Sequence, residues 1–267
     1  MKPTLSAGET GLLVALMVAL VLAGCGPFLP QYANYHAFAD QRTLWGLPHA
    51  MDVLSNLPFA IMGVAGLVRL HATPERSPGG AQRPLATVFF AGLVITALCS
   101  AWYHLDPTNA SLRVDRLGMV LAFAGLLGLA VADRVSARAG VCTSVVVLLL
   151  GPPAIETWAI GANLLPWSVL QGGGMLLLLL LAQRKPQCGA WDLPLNAVLA
   201  WYVVAKLLEL ADHPIYLLTH EWVSGHSLKH VAAAMAAWPL LALMHNGYPA
   251  RPSQHGAKPA IVNAHTL

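Results

Sequence analysis

The sequence predicts an all-α fold: a polytopic membrane helix bundle with a seven-transmembrane core and one extra N-terminal hydrophobic helix. Three observations lead there. The 267 residues are 57% hydrophobic and only 10% charged, against about 25% charged in an ordinary soluble domain. The apolar residues fall into long runs broken by short polar stretches, the pattern of repeated membrane crossing. No run alternates polar and apolar residues as a membrane barrel strand must, which leaves helices as the spanning form.

The runs cover residues 11–29, 54–70, 85–105, 112–131, 141–155, 164–182, 193–211 and 228–244. Most approach the roughly 20 residues a helix needs to cross the hydrocarbon core. The fifth run is shorter and ends at Gly151-Pro152-Pro153, where a kink or partial tilt is expected, because proline gives no backbone N–H and crowds the preceding turn. The first run reads two ways. Met1-Lys2 before an apolar stretch suits a secretory signal, and Leu22-Ala23-Gly24-Cys25 resembles a lipoprotein cleavage box. A single positive charge, the nearby Glu9 and the length of the run favour a retained transmembrane helix or uncleaved signal-anchor. The expected organisation is then residues 1–29 as that helix, 30–51 as an extracytoplasmic segment, 52–246 as the seven-transmembrane core and 247–267 as a disordered cytoplasmic tail.

Basic residues in short loops set orientation. Arg69, Arg76 and Arg83 flank one loop, Arg134 and Arg138 a second, and Arg184 and Lys185 a third, with Arg251 and Lys258 in the tail. The alternate loops, 106–111, 156–163 and 212–225, hold few basic residues. The expectation is a multi-pass protein of a bacterial inner (plasma) membrane, C-terminus cytoplasmic. The formal charge of +3 is small and scattered, which argues against a nucleic-acid partner. The four cysteines, Cys25, Cys99, Cys142 and Cys188, form no Cys-x-x-Cys pair and read as packing residues.

That topology puts His104, Asp115, His226 and His230 at one end of the bundle, the outer one. His226-Ser-Leu-Lys-His230 is an i, i+4 pair, so both imidazoles leave one helix face and can share a metal ion. With 11 histidines in the chain, that spacing alone is a weak signal, and two interfacial histidines explain it equally well. Ser100 and His104 repeat the i, i+4 spacing, with Trp102 and Tyr103 suited to a membrane interface. Asp115 follows across the turn Asp106-Pro-Thr-Asn109. A surface ion pair with Arg113 or Arg116 is its competing explanation. Ionisable residues within membrane helices are nonetheless costly, and so point to function when they gather.

Zinc accounts for the set. Three histidines with a fourth position open is the arrangement of a catalytic zinc site, and three imidazoles suit that metal. Zinc can lower the pKa of a water towards about 7. Asp115 is then placed to take the water's proton and pass it on, and Ser100 to hydrogen-bond the water or a developing oxyanion. The chemistry predicted is hydrolysis of a carbonyl compound that arrives from the lipid.

These elements resemble a known family. Ser-x-x-x-His, an Asp 11 residues on and a C-terminal His-x-x-x-His across seven helices look like the alkaline ceramidases, in a superfamily shared with the adiponectin and progestin receptors. The local context is closer to the bacterial ceramidase-like branch: Phe38-Ala-Asp-Gln-Arg42, Ser55-Asn-Leu-Pro-Phe59, Ser100-Ala-Trp-Tyr-His104, Val114-Asp-Arg-Leu117 and Ser224-Gly-His-Ser-Leu-Lys-His230. The match runs over residues 35–246. The resemblance implies a zinc-dependent amidase that splits ceramide, or a related N-acyl lipid, into a sphingoid base and a fatty acid. His104, His226 and His230 would hold the Zn2+, and Ser100 and Asp115 would be catalytic. The stretch 40–52 lacks the clustered acidic calcium-binding pattern of the animal enzymes.

Other polar residues carry weaker expectations. Lys206 and Glu209, spaced i, i+3, read as a buried ion pair or a lipid head-group contact, with Asp212 a turn further on. Asp52 either caps the first core helix or lines the mouth of the site. His36, His49, His213 and His220 read as interfacial. Two rival functions stand beside ceramide hydrolysis: a zinc-containing seven-transmembrane lipid receptor or sensor, and a hydrolase of another acyl lipid. Short cytoplasmic loops favour an enzyme over a receptor, and the lack of internal repeats argues against a transporter.

Overall fold

A computed structural model describes residues 4–72 and 80–245. Arg76 and the tail 247–267, with its expected disorder, lie outside the described residues. The described chain is all-helical apart from one isolated bridge, Leu44 to Leu47. In order the helices are α1 (Ala7–Cys25), α2 (Ala50–Leu54), α3 (Leu57–Ala72), α4 (Gln82–Leu105), α5 (Asn109–Arg134), α6 (Ala137–Gly161), α7 (Leu165–Ala182), α8 (Leu195–Leu210), α9 (Asp212–Leu218), α10 (Gly225–Met235) and α11 (Trp238–His245).

Seven of the rods these helices form are long and apolar enough to cross a membrane: α1, α2 with α3, α4, α5, α6, α7, and α10 with α11. The seventh apolar run supplies α8, which at 16 residues is shorter than these. Pro214 lies just beyond its end; proline offers no N–H to an earlier carbonyl, and the chain turns at Ala211 before α9 begins. The fifth apolar run forms a helix that extends beyond its prolines. Pro152 and Pro153 lie inside α6, which continues to Gly161. The missing N–H groups free the Leu148 and Leu149 carbonyls one turn earlier, and membrane helices tolerate proline where the surroundings re-satisfy such groups.

Helices α4 and α5 pack so closely that side chains are excluded at their crossing. A Cβ on Gly92 would lie 2.4 Å from the Ala122 nitrogen, and one on Gly125 would lie 2.2 Å from the Phe89 nitrogen. Small residues permit this approach, and in lipid such close van der Waals packing drives helix association. The turn between these helices is fixed by Thr108, whose hydroxyl accepts the Ser111 N–H, while the Ser111 side chain accepts the Thr108 N–H, a reciprocal capping box. α5 therefore starts at Asn109, and Asp115 sits in its second turn.

At the opposite end of α5 a polar clasp closes the bundle. Asp133, fully buried, accepts the backbone N–H groups of Asp192 at 3.1 Å and Leu193 at 3.2 Å. Arg134 donates to the Leu193 carbonyl at 2.7 Å and pairs with Asp192 at 3.1 Å. Nearby, Glu9 of α1 accepts from Ser136 and Arg138 at the start of α6.

Candidate metal centre

The site is built from the last turn of α4 and the first turns of α10. Ser100 and His104, four residues apart, are both buried, whereas Leu98 and Trp102 of the same helix are exposed. One face of α4 thus carries the polar residues inward and the opposite face carries apolar ones outward. α10 is capped by Ser224, whose hydroxyl accepts the Ser227 N–H at 2.9 Å. The Asp212 carboxylate adds a second cap by accepting the His226 N–H at 2.8 Å. Gly225 permits this, because a Cβ there would lie 2.3 Å from the Leu208 carbonyl oxygen. The start of α10 is thereby pressed against the end of α8.

These placements bring His104, His226 and His230 together. All three are buried, and one ligand atom from each lies within 4.8 Å of the others. The ring centroids form a near-equilateral triangle of 4.9, 5.0 and 4.9 Å, with interplanar angles of 70°, 67° and 88°. The His104 and His226 Nε2 atoms are 3.4 Å apart. Two nitrogens held about 2.0–2.1 Å from one tetrahedral ion lie about 3.3–3.4 Å from each other. The spacing, the burial and the all-imidazole donor set fit a transition metal, zinc among them.

Ser100 lies one turn before His104, and its side chain is a polar neighbour of the Asp115 carboxylate on α5. The close passage of the two helices explains the meeting: a Cβ on Gly118, one turn beyond Asp115, would lie 2.8 Å from Cys99 Cβ. Asp115 stands outside the three-histidine ligand group. The ion pairs that compete to explain it do not form among the described residues, since Arg113 pairs with Glu156 at 2.6 Å and Arg116 donates to Gln31 at 3.0 Å.

Several neighbours carried no assigned role in the sequence reading. Phe38 covers the histidines, its ring 4.2 Å from that of His226 and 4.9 Å from that of His104. Its segment is tied down at Asp40, which pairs with Arg42 at 2.6 Å, and at Ala39, whose N–H donates to Asp212 at 3.0 Å. Arg42 also donates to the Trp222 carbonyl at 3.0 Å, and its hydrogen bonds to Asp40 raise the guanidinium pKa above its ordinary value. His36 does more than sit at an interface. Its Nε2 is 2.9 Å from Asn109 Oδ1, an acceptor, so that nitrogen carries the proton and the Tyr103 hydroxyl donates to Nδ1 at 2.8 Å. The one signal for Phe38 and Asp40 was their place in a family-like block, which gives a position without a partner.

Of the two roles expected for Asp52, the cap does not form and a place beside the site remains: its Oδ1 accepts from Ser227 at 2.6 Å, which ties α2 to α10 beside the histidines. Lys206 does pair with Glu209, at 2.5 Å, but its side chain is half exposed; the sequence reading omitted Lys229, which meets the same carboxylate at 2.8 Å from between the two α10 histidines. No protein-family model matches the chain, and no curated protein sequence matches it.

Proposed function

We propose that this chain is a zinc-dependent intramembrane lipid amidase that hydrolyses the N-acyl amide bond of ceramide to a sphingoid base and a free fatty acid. The observation that carries the proposal is the convergence of three buried imidazoles from two helices, with a serine and a carboxylate on the adjoining turns. His104, His226 and His230 would hold the Zn2+. A zinc ion there supplies Lewis acidity, withdrawing charge from a carbonyl oxygen and acidifying water.

The protein's own groups supply the remaining roles. Asp115 accepts the proton of the attacking water at a carboxylate oxygen and returns it to the amide nitrogen as the C–N bond breaks and the new C–O bond forms. The Ser100 hydroxyl donates to the Asp115 carboxylate at rest and, once Asp115 has taken the water's proton, turns to donate to the oxygen on which charge develops. Phe38 shields the imidazoles from bulk water, which strengthens each polar interaction beneath it. Substrate reaches the site laterally from the bilayer. The Lys and Arg pattern of the loops supports an extracytoplasmic site in a bacterial inner membrane, with the C-terminus in the cytoplasm.

The test is amide hydrolysis of a ceramide panel by purified protein in detergent, with His226→Ala in parallel. Release of sphingoid base by the wild type, lost in the variant, is the expected result. If folded, zinc-loaded protein releases none at any chain length, the ceramide reading fails, and N-acyl amino lipids and glycerophospholipids become the next panel.

A further inference from the structure

Ser55 has no role in the reaction just described, yet it touches one of the candidate ligands. Its Oγ lies 2.8 Å from His230 Nδ1 and 2.9 Å from the Asp52 carbonyl oxygen. The break between α2 and α3 explains the second contact. In a continuous helix the Asp52 carbonyl would accept the Asn56 N–H. Here that N–H goes to the Val53 carbonyl at 3.3 Å. The Asp52 carbonyl is left to side-chain donors: the Ser55 hydroxyl and the Asn56 amide, the latter at 2.8 Å.

A carbonyl oxygen can only accept, so the single Ser55 hydroxyl proton is committed to it. The Ser55 oxygen then faces His230 Nδ1 as an acceptor, and that nitrogen must carry the ring proton. The Nε2 of His230 is consequently left with its lone pair available. A metal-ligating histidine has its tautomer and ring orientation set in this way by the bond at its other nitrogen.

We infer that Ser55 is a positioning residue for the metal centre: by accepting the Nδ1 proton of His230 it fixes that imidazole as an Nε2 ligand. Asp52 supports the arrangement from both ends, through its carbonyl to Ser55 and through its Oδ1 to Ser227, the residue after His226. A helix break usually read as a packing irregularity thereby becomes part of the metal site. The inference rests on the metal-centre reading and is independent of which lipid is hydrolysed.

The experiment measures zinc affinity by competition with a chromophoric chelator for wild type, Ser55→Ala, Ser55→Thr and His230→Ala. The cobalt absorption spectrum of each reports ligand geometry. Ser55→Ala is expected to weaken zinc by about 10–100-fold, the usual effect of losing such a partner, and Ser55→Thr to stay near wild type because it keeps the hydroxyl. A second measurement needs no variant: the ring nitrogen chemical shifts of His230 in the wild-type chain before zinc is added should show Nδ1 protonated. Wild-type affinity in Ser55→Ala, with His230→Ala still defective, overturns the role of Ser55 and leaves the metal centre standing. Protonation at Nε2 of His230 overturns it equally. Failure of the wild type to bind zinc overturns the metal centre and the positioning role together.

Discussion

The two ends of the bundle handle buried polar groups in opposite ways. At the end where α5 finishes, Asp133 and Arg134 meet the backbone and side chains of residues 187–193, and the Gln187 amide donates to the Arg134 carbonyl at 3.1 Å. Of the buried side-chain atoms there, Arg134 Nε alone lacks a partner among the described residues. At the histidine end, His49 Nδ1, Asp52 Oδ2, Asn56 Oδ1, His104 Nδ1 and Arg116 Nη1 all lack one. The backbone does not follow this division. Trp45, His49, His220 and Glu221 adopt left-handed φ values of 53°, 44°, 53° and 64° in loops at the histidine end, and Asp192 does so at 59° in the clasp, a conformation that costs non-glycine residues on the order of 1–3 kcal/mol. Unpaired buried polar atoms are usually eliminated from a fold, and they persist where a site needs them. The first end is almost fully paired within the chain, and the second keeps a set of buried polar atoms without a hydrogen-bond partner among the described residues.

The largest test of this contrast is metal removal. His104→Ala should abolish stoichiometric zinc binding, read by elemental analysis of purified protein, while circular dichroism stays helical. Zinc retained at full occupancy would move the site elsewhere. Asp133→Ala should do the reverse: breaking a buried, hydrogen-bonded pair costs roughly 3–5 kcal/mol, so thermal unfolding should shift strongly downward while zinc affinity of the folded fraction is unchanged. A loss of zinc affinity there would mean that the two ends are coupled. Gly125→Ala places a methyl against the Phe89 backbone and should destabilise by about 1–3 kcal/mol through overpacking. It should also lower turnover of a hydrolysed lipid, because the α4–α5 crossing sets Ser100 beside Asp115. The smallest effect belongs to Arg113→Ala. Its pair with Glu156 is partly exposed, near the first turns of α5 and the last turns of α6, and exposed pairs contribute about 0–1 kcal/mol, so stability and zinc binding should both stay near wild type.

Much of the architecture was legible because it follows from local composition. The eight apolar runs became eight helical rods, since in lipid each segment must satisfy its own backbone hydrogen bonds. The i, i+4 spacings of Ser100 with His104 and of His226 with His230 put each pair on one helix face before any contact was known. Proline was the weaker guide. Pro152 and Pro153 did not end α6, whereas the short α8 lies just before Pro214. The outcome at a proline depends on what surrounds the freed carbonyls, and composition does not record that.

What the sequence determined by itself was therefore periodic and local: helices, their approximate ends, and which residues share a face. The meeting of His104 with two histidines more than a hundred residues later needed the Gly225 approach, the Asp212 cap and the glycine crossing of α4 and α5. The partners of the histidines were likewise decided only in three dimensions. Ser55 reaches His230 across 175 positions, and Asp52 reaches Ser227 across the same number. A hydrogen bond depends on a few tenths of an ångström and on which atom holds the proton. Residue identity supplies the donors and acceptors, and only the packed backbone decides which of them meet.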